Sequence, residues 1–439
     1  MGRRLGLIGV LTLLVTCGPT VLPRQETETP SASAPSTSDL ITLREGGAQS
    51  YLAVRSVATS ELVRQMPDGL LLPDGRTIAV VEPAVSTTTF RTVDRATGRT
   101  VKSRVVPGTW SLPQGGFGSP LMSPNGLFVV MTGSSYNFTD ESGKWTARTS
   151  FAIVDTEFRF AEPNVVQLDG RQSYVGISND GRSLYLSESI PPQLPTSSRL
   201  RVFDLRSHMF ADVSGDQLPD PNAYFRTAPV SIGPYTFEIY AGKSPQLVRR
   251  DLDARTMQVI ALPGDQVTSG ADGMSGESVL MWSLIATRDG GTLYAVNAAL
   301  GVVDEIDPGS LRLRRTARLT LSSDERGTLS ALLGALHPVA YAKRGFTGAG
   351  AVLSPDEATL YAIGETGIWA IDTRSLTGRA LTKSGAYSSI ALGPGAQRVY
   401  VLGFEDGIVR VISAQGGSML GAMKRVAFPT GIVSVEARG

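Results

Sequence analysis

The sequence predicts an all-β protein that folds as a single seven-bladed β-propeller with four-stranded antiparallel blades. Three observations predict this fold: a strand–turn–strand phrase occurs seven times, an apolar residue followed by Asp marks a second turn after most copies, and 48 of the 439 residues are glycine. One four-stranded sheet buries too little surface to fold alone, whereas sheets packed around an axis bury both faces. A ring of repeats is therefore the simplest architecture for this chain.

The first turn of each repeat joins two short apolar strands. Gly accepts a positive φ angle, and Asp or Asn hydrogen-bonds the local backbone, so both suit a tight turn. The intervals between copies match the roughly 40 to 50 residues that a four-stranded blade needs, with room for loops. The seven copies are Leu72–Gly75, Met122–Gly126, Ile177–Gly181, Val230–Pro234, Ala286–Gly290, Leu353–Asp356 and Ala391–Gly395.

The second turn mark predicts a third strand that ends in a turn to a fourth strand. Because six equivalent residues cannot all belong to one active site, turn capping is the favoured role for the repeated carboxylates. The seventh repeat, Val409–Ser413, has Ser in place of Asp, and Ser can also cap a turn. The repeated residues are Asp94, Asp155, Asp204, Asp253, Asp307 and Asp372.

Both ends of the repeat region contain a further strand. Ser50–Arg55 precedes the first repeat, and Phe428–Val435 follows the last complete one. We expect terminal strands to close the ring by completing a blade with strands from the opposite end. If both terminal strands belong to an additional blade, the count becomes eight.

Residues 1–17 are predicted to be a lipoprotein-type signal peptide. Arg3 and Arg4 precede an apolar run from Leu5 to Val15, which is too short to span a bilayer and matches a secretory signal. The segment from Leu14 to Cys17 resembles a bacterial lipobox, although Thr16 departs from the usual small residue. The alternative is an ordinary signal peptide that contains a cysteine. Cys17 is the only cysteine in the chain and is the predicted lipidation site.

Residues 18–39 are rich in Pro, Ser and Thr and are predicted to be a disordered linker, because they have too little apolar bulk to fold. About 22 such residues would hold the globule roughly 25 Å from a membrane anchor. The propeller is predicted to occupy residues 40–439. These features predict an extracytoplasmic protein, anchored through lipid to the outer face of the bacterial cytoplasmic membrane or to the cell surface.

No residue cluster predicts catalysis, a metal site or a cofactor. The net charge of +1 gives no electrostatic footprint for nucleic acid. The two histidines, His208 and His337, lie far in sequence from other metal-ligating residues, and a zinc site of the common kinds needs three or four nitrogen or sulfur ligands. No Gly-x-Ser-x-Gly motif or phosphate-binding loop is present.

Two segments interrupt the period and are candidate binding loops, because loops on a rigid scaffold often carry function. Gly133–Thr149 contains Tyr136, Phe138 and Trp145, which could stack on a sugar or peptide; a plain long hairpin is the alternative.

The second segment, Thr320–Ala349, contains a predicted apolar helix face. Leu332 and Leu333 belong to that face. It would pack over a blade or dock a partner.

The repeats resemble those of bacterial propellers with Ser-Pro-Asp-Gly and Leu-Tyr-Val signatures, the YVTN/WD40-like group. The resemblance covers about residues 40–439, and the Trp-Asp ending of true WD40 blades is absent. It implies the architecture and carries over no catalytic residue, since members include lactonases, surface-layer proteins and assembly scaffolds.

We therefore predict a membrane-tethered binding or scaffold module for an envelope component or an extracellular ligand, and a non-enzymatic role is favoured. The first alternative is a metal-dependent, lactonase-like propeller hydrolase whose channel carboxylates hold the metal. The second alternative is a solute-binding lipoprotein with an aromatic-lined pocket.

Overall fold

A computed structural model describes residues 37–46, 50–112, 121–133, 136–139, 145–192, 196–216, 225–242, 244–263, 280–319, 350–365, 367–426 and 429–438. For residues 136–139, 145, 146 and 225 it describes the backbone only. The predicted lipidation site Cys17, the segment containing Leu332 and Leu333, and His337 lie outside the described residues.

Thirty-five β-strands run through the described part of the chain. The first twelve are β1 (Leu40–Glu45), β2 (Tyr51–Ser56), β3 (Leu62–Pro67), β4 (Leu70–Leu71), β5 (Thr77–Pro83), β6 (Thr87–Asp94), β7 (Thr100–Pro107), β8 (Trp110–Ser111), β9 (Phe128–Gly133), β10 (Tyr136–Thr139), β11 (Trp145–Asp155) and β12 (Asn164–Asp169). The next ten are β13 (Gln172–Ile177), β14 (Ser183–Ile190), β15 (Ser197–Asp204), β16 (Met209–Ala211), β17 (Ser214–Gly215), β18 (Phe225–Arg226), β19 (Val230–Ile232), β20 (Tyr235–Ala241), β21 (Gln246–Asp251) and β22 (Thr256–Ala261).

The remaining thirteen strands complete the repeat region. They are β23 (Ser283–Ala286), β24 (Leu293–Asn297), β25 (Val302–Asp307), β26 (Arg312–Arg318), β27 (Ala351–Leu353), β28 (Thr359–Ile363), β29 (Ile368–Asp372), β30 (Gly378–Thr382), β31 (Tyr387–Leu392), β32 (Arg398–Gly403), β33 (Val409–Ser413), β34 (Met419–Ala422) and β35 (Pro429–Glu436). A 3-10 turn, Pro394–Ala396, precedes β32.

The strands form eight sheets, and each sheet is one blade. Blade 1 has the strand order β35-β1-β2-β3 from the inside outward, and blade 2 has β4-β5-β6-β7. Blade 3 is built around β8-β9-β11-β12, blade 4 contains β13 to β16, and blade 5 is built around β20 to β22. Blade 6 contains β23 to β26, blade 7 contains β27 to β30, and blade 8 contains β31 to β34. We call the four positions in a blade A, B, C and D from the inside outward.

Blade 1 is the additional blade that makes the count eight instead of the expected seven, as the alternative count allowed. Its A strand, β35, comes from the C-terminal end and pairs antiparallel with β1, whereas its B, C and D strands come from the N-terminal end. Because its A and B strands are not consecutive in the chain, this blade has no A–B turn and leaves no copy of the repeated phrase in the sequence. The prediction that terminal strands close the ring is confirmed.

A hydrophobic cluster fills each of the eight interfaces between neighbouring blades. Seven interfaces hold a single cluster each, and the interface of blades 4 and 5 holds two smaller ones. The cluster between blades 1 and 2 includes Leu52, Met66 and Val80, and the cluster between blades 8 and 1 includes Tyr400 and Leu43. Each sheet is therefore buried on both faces, which explains why its strands are apolar at successive positions.

The repeated phrase forms the A–B turn. Ser354 Oγ donates to Asp356 Oδ1 at 2.5 Å and accepts the Thr359 N–H at 2.9 Å. The same pair of bonds is formed in blade 3 by Ser123, in blade 4 by Ser178 and in blade 6 by Thr287. The hydroxyl thus fixes both ends of the turn.

The repeated carboxylate forms the C–D turn. Asp372 Oδ1 accepts the N–H groups of Arg374 and Ser375 at 3.0 and 2.8 Å, and these bonds lower the pKa of Asp372. Leu376, the fourth residue after the cap, adopts a φ of 55°. In blade 8 the cap is Ser413 Oγ, which accepts the Gly416 N–H at 3.4 Å.

In blade 5 the capping residue is Asp251 and not the predicted Asp253. Asp251 Oδ1 accepts the N–H groups of Asp253 and Ala254 at 3.1 and 2.8 Å. Asp253 instead accepts the Asn179 N–H at 3.0 Å and thereby joins blade 5 to the A–B turn of blade 4. Two aspartates stand two residues apart here, and the pattern of apolar residue plus Asp does not distinguish them.

Basic side chains link blades through these C–D turns. Arg315 of blade 6 donates to the Thr373 carbonyl at 3.0 Å, and Arg379 of blade 7 donates to the Gln415 carbonyl at 2.6 Å. Lys102 of blade 2 donates to the Glu157 carbonyl at 2.9 Å in the same way. Each cation reaches the turn of the following blade, so turn carbonyls that face away from their own sheet acquire a partner.

Candidate functional site

The blade topology gives the propeller two different ends. In an antiparallel A-B-C-D blade, the A–B and C–D turns lie at one end and the B–C and D–A connections lie at the other. We call the first end the turn face and the second the loop face. The tight turns described above all lie on the turn face.

Both ends of the described chain lie on the turn face. The chain enters the propeller at Asp39, immediately before the B strand β1, and leaves it after the A strand β35. The long interruptions of the period begin and end at the loop face instead: β26 ends there at Arg318, and β27 begins there at Ala351.

The predicted aromatic loop is a hairpin at the loop face of blade 3. β10, which contains Tyr136 and Phe138, pairs with the first residues of β11, where Trp145 is opposite Thr139. β12 pairs with β11 only from Arg148 onward, so the hairpin continues beyond the edge of the blade. The backbone therefore brings the three predicted residues together on one projecting element.

Asp304 is a buried carboxylate whose position turn formation does not explain. It lies in the C strand of blade 6, is 0% exposed, and accepts a hydrogen bond from Thr316 Oγ1 at 2.7 Å. Its second oxygen, Oδ2, is buried without a hydrogen-bond partner in the described part of the chain. Burial raises the pKa of Asp304 to about 7, against the opposing effects of Thr316 and the Arg318 charge.

The surroundings of Asp304 place it between blades 5 and 6 near the loop face. Asp304 is the register partner of Ala295, which packs in the cluster shared with Phe237 of blade 5. Trp282, at the start of the A strand, belongs to the same cluster, and its indole N–H is also buried without a partner among the described residues. A protonated Asp304 would be a neutral hydrogen-bond donor in this interface near neutral pH.

Sequence reasoning did not single out Asp304. It selected Asp307, three residues later, because Asp307 carries the repeat mark. The available signal was the alternation of the strand Val302–Asp307, which places Asp304 on the same face as Val302 and Ile306, where a carboxylate is expensive to bury.

Two further buried ion pairs are structural. Glu238 and Arg250 of blade 5 pair at 2.9 Å, and Arg250 also donates to Tyr240 Oη at 2.7 Å. Glu45 pairs with Arg55 at 2.5 Å and accepts the Tyr51 hydroxyl at 2.8 Å. Each pair joins neighbouring strands of one blade, and in the Glu238–Arg250 pair the atoms Glu238 Oε1 and Arg250 Nε are buried without a hydrogen-bond partner among the described residues.

A cavity of about 140 Å³ lies between blades 1 and 2. Its polar lining includes Arg44, Arg95 and Thr42. Arg44 Nε pairs with Asp68 at 2.9 Å, and Arg95 donates to Ser434 Oγ at 2.7 Å and pairs with Glu436. Both guanidinium groups are therefore already paired at the interface of blades 1 and 2. The other lining residues are Leu52, Gly69, Leu70, Leu71, Ile78, Met122 and Val433.

The channel carboxylates that the hydrolase alternative would need were not assigned to particular residues in the sequence. Among the described residues no three His, Cys, Asp or Glu side chains are placed to hold a metal ion. Glu436 is the only acidic residue on the described inner strands. His208 lies in the C–D turn of blade 4 with a φ of 55° and meets the Phe203 ring edge-on at 6.0 Å. No described helix is long and apolar enough to cross a membrane.

Comparisons with known proteins found similarity to solved structures. No family model matches the chain, and no curated protein matches it. The structure is similar to that of apo AztD from Citrobacter koseri, with 12% identity, a TM-score of 0.46 and coverage of 90% of this chain and 97% of that chain. It is also similar to the Pseudomonas aeruginosa periplasmic gluconolactonase PpgL, with 18% identity, a TM-score of 0.38 and coverage of 81% and 98%.

A third similar structure is the β-propeller domain of Myceliophteria thermophila Cps50 (Swd1), with 12% identity, a TM-score of 0.36 and coverage of 74% and 90%. Similarities at this level concern the architecture and carry no argument about ligand or activity. The chain is a β-propeller protein of eight blades.

Proposed function

We propose that this protein is an extracytoplasmic binding or scaffold module, tethered to a membrane through Cys17, whose loop face holds an envelope component or an extracellular ligand. The observation that carries the proposal is the separation of the two faces. The chain that leads back to Cys17 enters on the turn face, whereas the interruptions of the repeat begin and end at the loop face.

The entry point of the tether is fixed to the propeller. Asp39 accepts a hydrogen bond from the Tyr400 hydroxyl, and its carboxylate lies 3.3 Å from Arg398 Nη1 of blade 8. A linker that starts at this point would keep the turn face toward the anchor. The loop face, with the hairpin of Tyr136, Phe138 and Trp145, would then point away from the membrane.

The scaffold is suited to presenting loops rigidly. Eight hydrophobic interfaces and the cation-to-turn bonds between blades fix the strands from which the loops emerge. Positions held by such a frame lose little entropy when they bind, which favours recognition by loops.

The membrane anchor is tested by replacing Cys17. In cells grown with a labelled fatty acid, the wild-type protein should carry label and Cys17→Ser should not. Cys17→Ala is a second variant that should behave like Cys17→Ser. Retained label in both variants would exclude lipidation at Cys17.

The binding face is tested with a photoreactive side chain at one of two exposed positions. Val85, 98% exposed between β5 and β6, lies on the loop face, and Gly416, whose Cβ position is open, lies on the turn face. Irradiation of intact cells should give defined adducts with an envelope component or an added ligand from position 85 and none of these from position 416. Adducts of that kind from position 416 alone would contradict the proposal.

A further inference from the structure

Exposed apolar side chains are concentrated at one margin of the molecule. Of the thirteen exposed large hydrophobic residues in the described part of the chain, nine lie where the C–D turn passes into the D strand. These nine, which we call the apolar rim, are Leu62, Val63, Val101, Phe160, Val165, Met209, Leu313, Met419 and Leu420.

The apolar rim recurs at equivalent positions. Val101, Val165 and Leu313 are the second residues of their D strands, and Met209 and Met419 are the first residues of theirs. Six of the eight blades contribute. In blade 5 the short strand β17 covers the start of the D strand β22, and in blade 7 the D strand begins with Gly378 and Arg379.

The weaker coverage of the outer strands does not by itself explain why the exposed apolar residues lie at the start of the D strands. The outer strands of a propeller are less covered along their whole length, yet the far ends of the D strands contribute only Val105 to the exposed set. Met209 is 66% exposed and Val101 59%, values that a packing role would not produce. Single exposed apolar residues need no explanation, but a recurring row indicates a contact surface.

The rim surrounds the same face at which the N-terminal chain enters. The residues before Thr37 include the apolar run Leu5–Val15, and they connect to the propeller at Asp39 on the turn face. A linker of about 22 residues from Cys17 holds that face within roughly 25 Å of whatever anchors it. The surface nearest to the rim is then the anchoring membrane itself.

We propose that the apolar rim lies against a lipid bilayer and inserts its side chains into the interfacial region. This inference rests on the tether in the proposed function, and it assigns a second membrane contact that the tether does not require. A single acyl chain or a shallow apolar contact binds a bilayer reversibly, and two such contacts together give stable attachment in a defined orientation.

The charged residues near the apolar rim are of both signs. Arg99, Arg206 and Arg312 are exposed there, and so are the carboxylates Glu61 and Glu162. Apolar contact is therefore expected to outweigh attraction to anionic headgroups. Binding should persist on zwitterionic vesicles and change little with salt.

The test uses the full-length chain with Cys17→Ser, so that a single introduced cysteine can be labelled with a polarity-sensitive fluorophore. Rim labels are placed at Val101→Cys and at Met209→Cys, and the matched loop-face label is placed at Val85→Cys. Each labelled protein is mixed with phosphatidylcholine vesicles and, separately, with phosphatidylcholine vesicles that contain phosphatidylglycerol. Melting temperatures equal to that of Cys17→Ser show that each variant is folded.

The proposal predicts a blue shift of emission at both rim positions on both kinds of vesicle and no shift at position 85. The double variant Leu62→Ser and Met419→Ser, combined with the rim label at 101, should reduce vesicle partitioning by about tenfold or more. Co-sedimentation without a rim shift would show that the N-terminal segment alone holds the protein, which overturns the rim proposal and leaves the loop-face proposal intact. A shift at position 85 without one at the rim would reverse the orientation and overturn both.

Discussion

Asp39 of the first described segment accepts a hydrogen bond from the hydroxyl of Tyr400 in blade 8. Both residues are buried, and burial together with the nearby Asp39 carboxylate raises the pKa of Tyr400 well above its ordinary value. The main chain of Asp39 is also engaged, because its carbonyl accepts the Val57 N–H at 3.0 Å. Asp39, the last residue of the predicted linker, is thus part of the junction between blades 8 and 1.

Replacing this pair should weaken the junction. Asp39→Ala is expected to lower the free energy of unfolding by about 2 kcal/mol, because it leaves the buried Tyr400 hydroxyl without its partner. Tyr400→Phe should have a smaller effect, since Arg398 remains to balance the carboxylate. Urea unfolding of both single variants and the double variant measures the coupling, and additive effects would contradict a direct bond.

Asp304 should make stability depend on pH near neutrality. Its pKa rises from 3.8 to about 7 on folding, so the folded state binds more protons than the unfolded state between these values. The free energy of unfolding therefore falls as the pH rises through this window, by on the order of 3 kcal/mol. Asp304→Asn removes the titrating group and can keep the Thr316 hydrogen bond.

The measurement is the difference in stability between wild type and Asp304→Asn at several pH values from 4 to 8. The free energy of unfolding of Asp304→Asn should rise steadily relative to that of the wild type as the pH increases. Asp212→Asn, at an exposed position, is the control and should follow the wild type throughout. A constant difference between wild type and Asp304→Asn would show that Asp304 is ionised in the folded protein across this range.

The cations that link blades should contribute measurably to stability. Arg379→Met keeps most of the apolar stem and removes the bonds to the Ala414 and Gln415 carbonyls, so we expect a loss of about 1 kcal/mol. Arg374→Met, at an exposed position five residues earlier, should change stability by less than about 0.5 kcal/mol. Equal melting temperatures for the two variants would show that the bonds from Arg379 to blade 8 do not contribute to stability.

Much of the fold could be predicted because each repeat contains the residue types that form its turns. Ser354, Asp356 and Asp372 form the hydrogen bonds that their types and spacing indicate. Seven of the eight blades could therefore be recognised in the sequence. Blade 1 left none at its A–B position, because β35 and β1 stand at opposite ends of the sequence. The seven-blade expectation failed for this topological reason.

The candidate sites were less accessible to sequence reasoning. Asp304 acquires its raised pKa from the packing of blade 5 on blade 6, a long-range contact that no local pattern encodes. The reach of Arg315 or Arg379 to the next blade likewise depends on the ring. Tyr136 and Trp145 could be placed in a loop because they interrupt the period, but their ligand depends on a surface that the sequence does not specify.

The two ends of the chain form one blade and thereby close an eight-bladed ring. Thr42 of β1 and Ser434 of β35 are register partners. Opposed residues in antiparallel strands have Cα atoms about 4.5 to 5.5 Å apart, within the range that a disulfide spans. Thr430 lies four residues from Ser434, more than about 12 Å along the strand.

The most direct measurement is oxidation of Thr42→Cys/Ser434→Cys in a Cys17→Ser background, followed by non-reducing electrophoresis and thermal unfolding. We expect complete cross-linking of the monomer and a clear rise in melting temperature, because the bond closes nearly the whole chain into one loop. The control pair Thr42→Cys/Thr430→Cys should remain reduced. A folded protein in which Thr42→Cys/Ser434→Cys does not cross-link, or in which the control pair does so equally well, would contradict closure of the ring by β35 on β1.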